Sequence, residues 1–278
     1  MTLFLSIIFG IIQGITEFLP ISSSGHLGLF ANLTGHDAEG VLQFIVLLHL
    51  GTLVAVVAVY WRDILGIVPA FFTMCGKFFR GERKWENYTL NERLSLLLLI
   101  GTLLLIPAAF LEGYIEAAMT SLIFVGAALM VNGLILFVSD RVSKGKLDLE
   151  SLKIRHGFIV GLIQFVAIIP GISRSGSTIT GGLFAGMTRE TAVKFSFLLS
   201  IPAIAGACVF KLPEFFAESS DSGQMAIYLV GAAVAAIVGF FAIKLLVYIA
   251  KRTNFTMFAY YCWAVGAAAI VVGVVKLT

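Results

Sequence analysis

Gly10-Ile-Ile-Gln13-Gly-Ile-Thr-Glu17-Phe-Leu-Pro20-Ile-Ser22-Ser23-Ser24-Gly25-His26 and Gly161-Leu-Ile-Gln164-Phe-Val-Ala-Ile-Ile-Pro170-Gly171-Ile-Ser173-Arg174-Ser175-Gly176-Ser177-Thr178 read as two variants of one sentence. An offset of 151 carries Gly10, Gln13, Ser22, Ser24 and Gly25 onto Gly161, Gln164, Ser173, Ser175 and Gly176. The same offset carries Phe44, Leu47 and Leu48 onto Phe195, Leu198 and Leu199, and only the proline slips by one position. This is an internal repeat of about fifty residues. In each copy an apolar run enters, breaks at Pro and a Ser/Gly cluster, and resumes as a shorter run.

The surrounding chain is apolar. Of 278 residues, 59% are hydrophobic and 13% charged, and the mean hydropathy is +1.00. Soluble domains carry about a quarter charged residues, so the composition points to an integral membrane protein. Cys75, Cys208 and Cys262 stand singly in or beside apolar runs, which argues against a disulfide framework or a thiolate metal cluster. The N-terminal run lacks a basic flank and a small-residue cleavage site, so a cleaved signal peptide is not expected.

Residues 3–19 form an apolar run that carries Glu17 and ends at Pro20, and residues 24–33 add only a short second run. A full crossing needs about 20 apolar residues. The pair therefore reads as a re-entrant helix–loop–helix over about 3–33, which membrane depth tolerates only where protein buries it or it lines a cavity. Spans are expected at about 41–61, 94–111, 120–138, 190–210, 225–246 and 257–276, with a second re-entrant pair at about 155–187. The expected fold is an all-α polytopic membrane protein: one membrane domain over 1–278 with an inverted-topology repeat, its halves at about 1–112 and 119–278.

Charge placement orients this layout. Sixteen of the nineteen Lys and Arg fall in 62–93, 139–156, 189–194 and 244–252; Lys211 and Lys276 lie on the other face, and Arg174 lies inside the second broken unit. The asymmetry predicts cytoplasmic basic loops and both termini outside. Inverted repeats with interrupted helices place their breaks near the bilayer midplane. Two helix N-termini would converge there, offering free N–H groups and positive dipole ends to an anion such as phosphate.

Arg174 is the most telling residue, because an arginine at membrane depth costs upward of roughly 2.5 kcal/mol unless paired. Its planar fork of donors suits phosphate oxygens; a salt bridge to Glu17 alone is the plainer alternative. Glu17 follows Gln13 by four positions, on one helix face, and suggests a divalent-metal ligand or a general base. Ser22, Ser23, Ser24, Ser173, Ser175, Ser177 and Thr178 are most simply helix caps, yet together they line an anion pocket, and one is a nucleophile if a base lies nearby. His26 is the candidate base or metal ligand, with a backbone-bonded histidine as the alternative. His49, mid-span, is given a structural hydrogen-bonding role. His36, Asp37 and Glu39 belong to an outer loop, and His156 to a basic loop where solvation is expected. No P-loop, dinucleotide fingerprint or zinc helix is present.

Gln13-x-x-x-Glu17 followed by Pro20-Ile-Ser-Ser-Ser-Gly-His26, with Pro170-Gly171-x-Ser173-Arg174-Ser175-x-x-Thr178, resembles the undecaprenyl-diphosphate phosphatases linked to bacitracin resistance. The resemblance covers essentially the whole chain. It implies hydrolysis of undecaprenyl diphosphate to undecaprenyl phosphate and inorganic phosphate on the outer side of the bacterial cytoplasmic membrane. That reaction recycles the lipid carrier for peptidoglycan and other envelope glycans. The resemblance also implies dependence on Mg²⁺ or Ca²⁺. Gln13 takes the variant the motif allows, so Glu17 carries more of the metal coordination. The catalytic residues it implies are Glu17, Ser23, His26 and Arg174, with Ser22, Ser24, Gly25, Gly171, Ser173, Ser175, Gly176 and Thr178 around the phosphate. Ser23 is the nucleophile by its place in the motif, and direct attack by metal-activated water stands beside it. The expected partners are the lipid substrate, membrane lipid and a second copy in a homodimer; nucleic acid is not expected. The rival class is a transporter, a polyprenyl-phosphate flippase or an anion carrier, because inverted repeats with broken helices also serve transport.

Overall fold

The structure of the protein is a computed structural model that describes all residues except 36–37, 143–144, 219–221 and 277–278, and leaves aside the side chains of residues 38–43, 112, 116, 142, 214, 216–218 and 222. Eleven α-helices are defined among the described residues: α1 (Leu3–Phe18), α2 (Ser23–Thr34), α3 (Ala38–Phe79), α4 (Leu90–Leu103), α5 (Glu112–Thr120), α6 (Leu122–Val142), α7 (Ile154–Val166), α8 (Arg174–Phe184), α9 (Arg189–Glu218), α10 (Ser222–Arg252) and α11 (Thr256–Val275). The described residues contain no strand beyond an isolated bridge between Leu147 and Met187.

Among the described residues, six helical stretches are long and apolar enough to cross a membrane: Phe44–Phe79, Leu90–Leu111, Leu122–Arg141, Arg189–Pro213, Gly223–Arg252 and Thr256–Val275. With the composition, they make the chain an all-α, multi-pass membrane protein. α3 departs from expectation. The helix is interrupted at Tyr60 (φ −107°, ψ 20°), beside the Trp61-Arg62-Asp63 cluster where the span was expected to close, but resumes past that kink and runs on to Phe79. A charged cluster ends the apolar stretch without ending the helix, because Trp, Arg and Asp all keep their backbone donors.

Local chemistry sets the two breaks. α1 stops where Leu19 turns extended (ψ 145°) ahead of Pro20, since the residue before proline is disfavoured in the α region. Ser22, at φ 72°, turns the chain, and its hydroxyl accepts from Gly25 N at 3.3 Å to cap α2. The second break turns at Gly171, φ 95°, and Ser173 caps α8 by accepting from Gly176 N at 3.1 Å. A Cβ on Gly171 would lie 2.6 Å from Ala128 Cβ on α6. Only glycine suits both that angle and that approach.

α1 packs along α10, α7 along α4, α3 along α9, and α6 along α11. The repeated glycines sit at two of these crossings: a Cβ on Gly10 would strike the Gly231 carbonyl of α10, and one on Gly161 would lie 2.6 Å from Gly101 Cα of α4. Small residues let helix backbones close up where lipid gives no hydrophobic drive. Behind the breaks, Phe18 and Tyr60 both meet Phe197 of α9, with centroids 5.6 and 6.0 Å apart, and form a buried aromatic layer.

Candidate active site

The two breaks meet. Asn132 of α6, fully buried, donates its amide to Pro20 O at 2.9 Å and accepts from Ser173 N at 3.0 Å, which ties one break to the other. Ser175 Oγ donates to Leu19 O at 3.3 Å, and Ser22 Oγ to Ile172 O at 3.5 Å. Within each break the cap serine meets the hydroxyl two residues on, Ser22 with Ser24 at 3.3 Å and Ser173 with Ser175 at 3.1 Å.

Glu17 is the focus. It lies on the last turn of α1 with its side chain 5% exposed. Arg174 Nη2 donates to its Oε1. Ser23 Oγ donates to Oε2 at 2.7 Å, and Gln13 Nε2 donates to the same oxygen at 3.1 Å. Ser23 and Arg174 correspond under the 151-residue offset. Each is the first residue of the helix that follows its break, and both reach one carboxylate. The helix ends therefore supply opposite chemistries to one spot, a hydroxyl from α2 and a guanidinium from α8.

His49 of α3 brings Nε2 to 3.5 Å from Glu17 Oε2, while its Nδ1 meets Ile45 O at 2.9 Å. The structural bond expected of His49 is present, and its second nitrogen faces the site, which the sequence did not reveal. His26, one turn into α2, meets Ser22 O through Nδ1 at 2.8 Å and the Tyr261 hydroxyl of α11 through Nε2 at 2.8 Å. Thr178 sits one turn into α8, where its hydroxyl donates to Arg174 O at 2.9 Å and pairs with Ser196 at 2.6 Å, bracing the backbone that carries Arg174. Ser177 Oγ is buried without a hydrogen-bond partner among the described residues.

The other expectations divide. His156 is not solvated: it is 1% exposed, and its Nδ1 accepts from Lys153 N at 2.7 Å at the start of α7, a helix cap in place of a loop residue. His36, Asp37 and the side chain of Glu39 lie outside the described residues. Asn132 and Tyr261 escaped the sequence reading, since a lone Asn or Tyr in an apolar span gives no sign of which helix it will face. His49 could have been found, as an ionisable group at membrane depth is by default a functional candidate.

Among the described residues no three His, Cys, Asp or Glu side chains cluster to hold a metal ion. The junction offers the Glu17 carboxylate and Gln13 Oε1, a buried amide oxygen with no hydrogen-bond partner among the described residues. One carboxylate and one amide oxygen suit Mg²⁺ or Ca²⁺, which take oxygen ligands and commonly complete their shell from substrate phosphate and water.

A family model described as "Bacitracin resistance protein BacA" matches residues 6–268. A protein of Desulforapulum autotrophicum named undecaprenyl-diphosphatase is 40% identical over 285 residues, covering 99% of this chain and 100% of its own. Another of that name from Halothermothrix orenii is 38% identical over 275 residues, 98% of each chain. One from Methanosphaera stadtmanae is 38% identical over 274 residues, 97% of this chain and 98% of its own. With both motifs intact and the match running nearly end to end, this chain belongs to the BacA family of bacitracin resistance proteins.

Proposed function

We propose that the protein is an integral membrane phosphatase that hydrolyses undecaprenyl diphosphate to undecaprenyl phosphate and inorganic phosphate, recycling the lipid carrier of envelope synthesis. The observation that carries this reading is the convergence of Ser23, Arg174 and Glu17 at the junction of the two broken helices. Family membership supports the same substrate.

In the proposed reaction Ser23 Oγ attacks the terminal phosphorus. Its proton passes to Glu17 Oε2, the acceptor already 2.7 Å away. A P–O bond to serine forms, the anhydride P–O bond breaks, and undecaprenyl phosphate leaves with the bonding electron pair. Water, giving a proton to His26, then attacks phosphoserine; the P–O bond to Ser23 breaks, Glu17 returns its proton to Ser23 Oγ, and inorganic phosphate leaves. Arg174 leaves Glu17 for the transferring phosphoryl oxygens, and the backbone N–H groups at the starts of α2 and α8 face the same charge. A Mg²⁺ or Ca²⁺ ion would be held by Glu17 and Gln13 and would neutralise diphosphate oxygens. Ser22, Ser173 and Ser175 hold the two turns in shape around the phosphate.

The same reading includes the topology. The swap of α1–α10 for α7–α4, with α3–α9 and α6–α11 unchanged by it, supports an inverted repeat that divides after α6 rather than near residues 112–119. We place α1–α2 and α7–α8 as re-entrant pairs from opposite faces, both termini outside, and the site open to the outer side of the cytoplasmic membrane. Phosphate release from undecaprenyl diphosphate by the purified protein in detergent, with and without EDTA, tests this function. Chelator-sensitive release is expected. No release, with phosphate or lipid moving across liposomes carrying the protein, would instead support the transport reading.

A further inference from the structure

The neighbourhood of His26 contains a contact that the reaction above does not use. His26 Nδ1 lies 2.8 Å from Ser22 O, and a carbonyl oxygen can only accept. In the neutral ring Nδ1 therefore carries the proton, and Nε2 is the acceptor. That acceptor is already taken: the Tyr261 hydroxyl sits 2.8 Å from it, with the two rings within 8° of parallel. The imidazole thus has no free nitrogen. Any proton it gives or takes at Nε2 must pass through, or displace, the Tyr261 oxygen.

A tyrosine on a lipid-facing helix is often no more than an interfacial anchor. Its neighbour Tyr260 fits that description, 58% exposed and packed edge-on against Phe137 and Trp263. Tyr261, itself 42% exposed, differs in that its hydroxyl reaches across to His26 of α2.

We propose that Tyr261 is a positioning residue for this chain's reaction: its hydroxyl fixes the tautomer and plane of His26 and so sets the direction in which the ring exchanges its proton. In the neutral pair the phenol donates to Nε2; when the ring gains a proton, Nε2–H donates and the phenol oxygen accepts. The contact survives both states. A ring so held keeps its orientation through a turnover, as a third group orients the base in hydrolytic triads. The proposal rests on the phosphatase reading for its consequence, but not for the contact itself.

The test has two arms. In protein labelled with ¹⁵N-histidine, His26 is assigned by the resonances lost in His26→Asn. The wild type is expected to show the Nδ1–H tautomer, and Tyr261→Phe, which keeps the ring and removes only the hydroxyl, is expected to move the Nε2 resonance of His26. An unmoved resonance overturns the proposal. In the second arm, phosphate release from undecaprenyl diphosphate by Tyr261→Phe is expected to show kcat lowered about tenfold with KM little changed, a part of the roughly 10²–10⁴-fold that a positioned acid or base contributes. In the His26→Asn background the same substitution is expected to add nothing. An equal loss in both backgrounds means that Tyr261 does not act through His26, and also overturns the proposal. Absence of release by the wild type would count against the phosphatase reading, and the resonance arm would still decide the contact.

Discussion

At the scale of single residues the site is a carboxylate surrounded by donors. Glu17 receives Arg174 on one oxygen and Ser23 and Gln13 on the other. A buried ion pair is no evidence of stability, because desolvation offsets much of its attraction; in the proposed reaction a diphosphate replaces Glu17 as the partner of Arg174. Arg174→Lys keeps the charge and loses the planar fork, so turnover should fall at least roughly tenfold, about 1.4 kcal/mol in the barrier. Near-normal kcat would remove Arg174 from the transition state. Ser23→Ala should stop phosphate release and any phosphoserine signal by mass spectrometry. Retained release would leave water as the attacking group.

At the scale of elements, the two helix–break–helix units depend on a side chain from neither. Asn132 satisfies a carbonyl of the first break and an amide of the second. Asn132→Ala leaves Ser173 N–H without this acceptor and Pro20 O with only the Cys262 thiol at 4.0 Å, at about 1–3 kcal/mol for a group left unpaired. The expected result is a lower melting temperature in detergent together with slower turnover; unchanged values of both would show that the junction holds without it. Both breaks were legible in the sequence, because Pro20, Pro170, Gly171 and the capping serines are local signals whose geometry follows from their own chemistry. Asn132, Tyr261 and the inward side of His49 were not. In a helix apolar all round, hydropathy says that the segment is buried in lipid or protein but not which azimuth faces which neighbour. His156 was misread for the opposite reason: a basic loop composition hid a residue that turns inward to cap α7.

For the molecule as a whole, all six expected spans appear as helices long and apolar enough to cross, which hydropathy alone sufficed to foresee. The extension of α3 to Phe79 was not foreseen, since the chain kinks at Tyr60 beside the charged cluster and then resumes helix through Gly66 and Pro69. The proposed topology assigns faces to specific exposed residues. In intact cells, a cysteine placed by Glu82→Cys should resist a membrane-impermeant thiol reagent, and one placed by Gly113→Cys should react. Labelling of both, or the reverse pattern, would refute the orientation.

The claim on which the account stands is that the two broken units build one site around Glu17 and Arg174. A double-mutant cycle on phosphate release, with Glu17→Gln, Arg174→Lys and the two combined, tests it most directly. If both residues serve one step, the combined variant should be no slower than the slower single one, to within about twofold. Losses that multiply, as for independent sites, would contradict it.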